Sequence, residues 1–288
     1  MIGLERKAKL EKSRFKQQNL PAWRPNPTLL TTLITFVIFG IIFLSLGIFL
    51  VEWARTITEI EIEYNERCKR DKVCPIPLTI EEDIETDIFV YYQLDNLYQN
   101  HRRFVNSRDD FQLRGDVKEV SDLTSCEPVT QVKDIGIPGL TNLDGEILDP
   151  EAPANPCGLI ARSYFNDLFT IIDTETSEEV EISPKGIAWD TDVSGLFQRP
   201  ENYKKIQWVD VTDERFIVWM RVAGMKDFRK PWGIIRGGIK AGEYTLIIEN
   251  NYDVNSFNGG KKFFMSTTNA YGGTNKFLAV SYLVVGSL

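Results

Sequence analysis

Histidine is nearly absent, cysteine is scarce, and no Asn-x-Ser/Thr acceptor with x other than Pro occurs among the 288 residues. Each shortage excludes something. A Ser-His-Asp or Cys-His site would have to use His101, the only histidine, which sits among arginines in Asn-His-Arg-Arg-Phe, a poor setting for a general base. The sequence assigns it a structural part. Asp109 and Asp110 are adjacent carboxylates, but chain neighbours point in different directions, and Arg102, Arg103, Arg108 and Arg114 lie close by. Charge pairing that fixes a loop is the expectation. The glycine pairs near 237, 259 and 272 lack the following helix and Lys-Ser/Thr of a phosphate cradle, so they read as turns. The sequence therefore points to no catalytic residue, no cofactor and no metal.

Charge of one sign is scarce at one end. Residues 1–27 hold seven Lys/Arg against two Glu, a net of +5, which leaves −13 on the other 261 residues of a chain whose total is −8. An acidic body argues against nucleic acid as a partner, since phosphate backbones need clustered positive charge. Between arm and body, Thr28 to Val51 runs 24 residues without an ionisable group. As a helix it would extend about 36 Å at 1.5 Å per residue, enough to cross a hydrocarbon core of about 30 Å. A signal peptide would have a shorter apolar stretch and a small-residue cleavage site. The basic flank predicts a cytosolic N-terminus, with Trp23 and Trp53 at the two interfaces.

All four cysteines, Cys68, Cys74, Cys126 and Cys157, follow this span, on the side predicted to be oxidising. Three connectivities are possible. Loop-closure entropy favours Cys68 with Cys74 and Cys126 with Cys157. Zinc is the weaker alternative, because there is no C-x2-C spacing.

After the span, Ile60, Ile62 and Tyr64 alternate with Glu59, Glu61 and Glu63, which predicts a strand with one wet face. Further strands are expected at 88–94, 168–173, 178–183, 215–223, 243–252 and 261–268. Helical stretches are expected around 97–105 and 159–165, with long loops near 65–85 and 128–155. These elements describe a mainly antiparallel β domain with helical insertions. Within the apolar span, Gly40 and Gly47 stand seven residues apart on one helix face, where a helical partner could approach closely; lipid-facing glycines would look the same. The final run, residues 277–288, fits either a packed strand or the first part of a second transmembrane helix.

Six stretches carry a resemblance: FKQQNLPAW (15–23), YQNHRRFVNSRDDFQLRGD (98–116), PCGLIARSYFND (156–167), GIAWDTD (186–192), RFIVWMRVAGMKDFRK (215–230) and YGGTNKFLAVSYLVVGSL (271–288). Long, in order and spread over nearly the whole chain, they resemble the ligand-effect-modulator family, the accessory β subunits of type IV P-type ATPase phospholipid flippases. The resemblance implies a membrane protein with an antiparallel β-sandwich-like ectodomain tied by disulfides and flanked by two transmembrane helices, the second truncated in this sequence. The implied layout is a cytosolic arm (1–27), helix (28–51), ectodomain (52–272) and second helix from 273. It also implies a non-catalytic subunit that escorts its ATPase from the endoplasmic reticulum and supports phospholipid translocation. Expected partners are the ATPase and membrane phospholipids. The expected partner contacts are Phe15, Lys16, Gln17, Gln18, Leu20, Pro21 and Trp23, with Gly40 and Gly47 in the membrane. The chain departs from the family in lacking the N-glycan acceptors usual there.

Overall fold

The computed structural model describes residues 13–18, 26–69, 71–269, 272–273 and 276–288. It forms two compact units, one from Met1–Ala54 with Asn275–Leu288 and one from Arg55–Thr274.

The first unit is built on helix α1 (Leu29–Arg55), which continues four residues past the uncharged run. Thr28 starts it. The Thr31 amide donates to Thr28 Oγ1 (3.3 Å) and the Thr28 amide to Thr31 Oγ1 (2.9 Å), so two otherwise orphaned donors satisfy each other reciprocally. Hydroxyls along the helix return to its own backbone: Thr35 to the Thr31 carbonyl (2.8 Å) and Ser45 to the Ile42 carbonyl (2.9 Å). No side chain between Thr28 and Val51 carries charge into the apolar stretch. Such a helix satisfies all its polar groups internally, as a hydrocarbon surrounding requires. The chain's last segment is also helical.

The second unit holds two four-stranded antiparallel sheets. β1 (Glu59–Glu63), β2 (Val73–Ile80), β3 (Ile88–Leu94), β4 (Leu168–Asp173), β5 (Glu179–Val180), β6 (Phe228–Ile235), β7 (Gly242–Glu249) and β8 (Lys261–Ser266) pair in the orders β1-β8-β3-β6 and β2-β7-β4-β5. Both sheets contribute to one apolar core. Phe169 of β4 bridges them, its ring 5.0 Å from Trp232 of β6 and 5.0 Å from Phe263 of β8. Alternation sets the faces. In β1 the isoleucines turn toward the core and the glutamates outward, where Lys262 binds Glu61 and Arg229 binds Glu59, each at 2.7 Å.

The fold corrects four sequence expectations. Residues 215–223 are not a strand: Glu214–Met220 is helix α2, capped by the Asp213 side chain on the Arg215 amide (2.9 Å). Phe216, Ile217, Trp219 and Met220 are all buried, so the apolar run has no polar face to reveal its period. The expected loop at 65–85 contains β2, whose Pro75 and Pro77 alternate outward with Cys74, Ile76 and Leu78 inward. β6 contains Pro231. Proline cannot donate to a ladder, and both strands lie at sheet edges, where that donor is not needed. Opposite Pro231 the register with β3 slips between Val90 and Tyr91, and the extra residue is Trp232, aimed into the core. The expected helix at 97–105 begins only at Arg102. The expected loop at 128–155 includes a helical turn, Val132–Ile135, packed with Leu123, Val129 and the Cys126–Cys157 pair in a small second core.

Candidate functional site

In the first unit, α1 packs against α3 (Lys276–Ser287). A Cβ added at Gly40 would lie 3.1 Å from the Gly286 carbonyl oxygen, and one at Gly47 would lie 2.8 Å from Leu283 Cδ2 and 3.0 Å from its amide nitrogen. A Cβ at Gly286 would in turn lie 2.8 Å from the Leu44 amide. Phe43 and Tyr282 meet beside this seam with ring centroids 5.8 Å apart. Gly40, Phe43, Leu44 and Gly47 are spaced three, four and seven residues apart and so share one face. Missing side chains let the two backbones approach closely, and packing contacts hold them. The helical neighbour that the glycines called for is the chain's own second helix. Elsewhere α1 presents apolar side chains outward, including Leu30, Leu33, Phe36 and Ile41.

Of the predicted arm residues, Phe15, Lys16, Gln17 and Gln18 form an exposed turn in which the Gln17 amide donates to the Ser13 carbonyl (2.9 Å) and the Gln18 amide to the Phe15 carbonyl (3.1 Å). Phe15 is 76% exposed. Leu20, Pro21 and Trp23 lie outside the described residues.

Within the β domain the cysteines pair as loop-closure entropy favours, Cys68 with Cys74 and Cys126 with Cys157. Around the second bridge, segments far apart in sequence interlock. Ser107 Oγ donates to the Cys126 carbonyl (2.9 Å) and accepts from the Leu159 amide (2.8 Å), while Gln112 donates to the Ala154 carbonyl (2.8 Å) and accepts from the Cys157 amide (2.9 Å). Gly158 has φ of +96°, and a Cβ there would collide with the Ser107 carbonyl oxygen at 2.1 Å. Only glycine fits. Asp109 and Asp110 diverge. Asp109 caps the following helical turn through the Gln112 amide (2.8 Å) and pairs with Lys118 (3.1 Å), which together hold its carboxyl below the usual range against an opposing burial effect. Asp110 pairs with Arg108 at 3.0 Å. His101 is exposed and makes no side-chain cap bond.

Four buried charges had escaped the sequence reading: Lys261 with Asp167, Lys230 and Glu214. Lys261 Nζ donates to Asp167 Oδ2 (2.7 Å), to Asn250 Oδ1 and to the Tyr252 carbonyl (2.6 Å), with the Tyr64 hydroxyl on the same Asp167 oxygen (2.7 Å). Burial pushes the Tyr64 hydroxyl well up, reinforced by the Asp167 charge, and pushes Lys261 down against the pull of Asp167. The signal was the strand period: Lys261 shares its face of β8 with Phe263 and Met265. Lys230 Nζ caps the C-terminal end of α2 by donating to the carbonyls of Val218 (3.2 Å), Trp219 (2.7 Å) and Arg221 (2.6 Å). Burial alone pushes it down to about 7, while three carbonyl acceptors match its charged form. At the other end of α2, Glu214 Oε2 accepts from the amides of Gly186 (2.8 Å), Ile187 (3.0 Å) and Ala188 (3.1 Å). These bonds fasten the 186–192 segment to the core. A side chain's own hydropathy could not announce such roles, because each needs hydrogen-bond partners from other segments of the chain.

A long helix with a membrane-length uncharged run, a glycine seam to a second apolar helix and a disulfide-tied two-sheet domain define a membrane protein with a mainly β extramembrane body. Residues 17–288 match the model of the LEM3 (ligand-effect modulator 3) family / CDC50 family. The chain is 35% identical over 332 residues to cell cycle control protein 50A of Bos taurus, covering 99% of this chain and 87% of that one. It is 34% identical over 305 residues to putative ALA-interacting subunit 4 of Arabidopsis thaliana, covering 96% and 85%, and 35% identical over 305 residues to ALA-interacting subunit 3 of the same plant, covering 96% and 82%. The chain belongs to the LEM3/CDC50 family.

Proposed function

We propose that this chain is a non-catalytic accessory subunit of a type IV P-type ATPase, a phospholipid flippase, and is needed for that enzyme's folding, export from the endoplasmic reticulum and lipid translocation. The observation that carries the reading is family membership over residues 17–288, joined to relatives whose names describe them as interacting subunits. The basic arm stays cytosolic and the β domain lies on the lumenal or extracellular side, in keeping with the charge asymmetry and the disulfides. ATP chemistry and the lipid path belong to the ATPase.

The partner contacts fall on two places. In the arm, Phe15, Lys16, Gln17, Gln18, Leu20, Pro21 and Trp23 meet the ATPase's cytosolic side, while neighbouring basic residues attract anionic lipid at about 1 kcal/mol each. In the membrane, Gly40 and Gly47 set the spacing of α1 and α3, and the apolar outer face of that pair lies against the ATPase's helices. Affinity purification of the tagged chain in mild detergent, followed by mass spectrometry, tests the proposal. A large P-type ATPase should co-purify in near-equal amount; a chain that leaves the endoplasmic reticulum alone and captures no such enzyme would sink it.

A further inference from the structure

Three segments of the β domain that are remote in sequence line one cleft of about 320 Å³. That volume is within the range, about 300–1,000 Å³, of small-molecule sites. Arg108 and Arg114 come from the segment at 98–116 and Arg221 from the residue after α2, above a floor that includes Leu113, Phe197 and Met220. Two carboxylates share the lining, and each is already engaged. Asp110 pairs with Arg108 at 3.0 Å, and Asp192, whose side chain is 3% exposed, takes the Nε and Nη2 edge of Arg221. Arg114 is exposed and has no carboxylate partner among the described residues. The cleft thus keeps an uncompensated guanidinium in a chain whose net charge is −8.

Arg221 and the backbone that carries Arg114 are also held in place. Arg221 stacks over Trp189 at 4.1 Å, and its carbonyl accepts from the buried Lys230 ammonium at 2.6 Å, so both ends of the residue are fixed. Its Nη1 group is the one left to a ligand. The carbonyl of Leu113 accepts from the Gln198 amide at 2.8 Å, which joins the wall carrying Arg114 to the segment carrying Phe197. Guanidinium forks match phosphate oxygens in geometry and charge, and a site held in place beforehand loses less entropy on binding.

We infer that this cleft binds an organic phosphate, with Arg114 as the principal contact, Arg108 and Arg221 as flanking donors, and the apolar floor against the ester group. A soluble phosphate ester and a lipid headgroup offer the same chemistry. Calorimetric titration of the purified full chain in detergent, with glycerol 3-phosphate and separately with dihexanoyl phosphatidic acid below its micellar concentration, distinguishes them. Saturable binding of the soluble ester supports a free ligand; binding of the short-chain lipid alone supports a headgroup. Arg114→Gln should weaken binding about tenfold, the loss of one charge-assisted hydrogen bond, without changing the melting temperature. Arg67→Gln, an exposed arginine away from the cleft, should leave it unchanged. If Arg114→Gln does not fold, Arg114→Lys keeps the charge, loses the fork and should bind with intermediate affinity. Absence of binding by both probes, equal loss in Arg67→Gln, or full affinity in Arg114→Gln overturns the assignment. Because the chain is titrated alone, the result does not depend on whether an ATPase accompanies it.

Discussion

The helix pair and the β domain are held together by opposite means. In the helix pair the seam is made of missing side chains, Gly40, Gly47 and Gly286, and no charge enters the apolar stretch. In the β domain the buried positions include Lys261 with Asp167, Lys230 on three carbonyls and Glu214 on three amides, besides two disulfides. The surroundings explain the difference. Where lipid surrounds a helix, apolar side chains gain nothing by leaving it, so close packing is the available attraction. In water, apolar burial supplies the driving force, and buried charges are tolerated when every donor finds an acceptor.

The comparison can be broken most directly at Lys261. Lys261→Met leaves Asp167 buried without its cation and should destabilise the β domain by about 3–5 kcal/mol, read from denaturant midpoints; adding Asp167→Asn, which removes the stranded charge but keeps an acceptor for the Tyr64 hydroxyl and the Asn251 and Tyr252 amides, should recover part of that loss. A full-strength β domain in the single variant would mean that the charge pair is incidental. Next come the disulfides. Separating Cys126 from Cys157, 31 residues apart, should cost about 4 kcal/mol by chain entropy, whereas Cys68 and Cys74, six apart, should cost about 2 kcal/mol; paired serine variants under thermal melting check the order.

In the helix pair, Gly47→Leu meets Leu283 at once and should cost about 1–3 kcal/mol of helix association, measured by cross-linking between cysteines placed on α1 and α3. Undiminished cross-linking would show that close approach is not what holds the seam. The pH dependence of Lys230 is a finer test. Its folded value, about 7, lies below the ordinary 10.5, so between these limits the unfolded chain binds more protons than the folded one. Stability should therefore rise with pH across that window, by up to about 1.4 kcal/mol per unit, and the gain should vanish as pH falls through 7. Lys230→Met should flatten the slope; a slope unchanged in that variant would place its origin elsewhere. The smallest effect is expected at His101, whose replacement by alanine should shift stability by less than about 0.5 kcal/mol.

Legibility in the sequence followed the range of the interactions involved. β1, β3, β4 and the β4–β5 hairpin were readable because alternation and turn residues are local signals, and the pairing of near cysteines followed from loop closure. The edge strands β2 and β6 were hidden by Pro75, Pro77 and Pro231, whose tolerance depends on which neighbours the strands lack. Among the expected contact residues, the part played by Gly40 and Gly47 in the seam was anticipated only as a need for some helix. That the helix is α3, more than 230 residues later, could not be read from either segment alone.

By itself, the sequence determined the uncharged membrane-length helix, the basic arm against an acidic body, most of the strands and the family. Those properties are sums over neighbouring residues, or long ordered matches, and need no coordinates. Tertiary structure alone decided that residues 214–220 form a helix rather than a strand, that Trp232 turns inward at a bulge, and that Lys261 finds Asp167 across 94 positions. An apolar run surrounded on every side has no exposed face to mark its period, and a buried charge is acceptable only where the fold brings its acceptors.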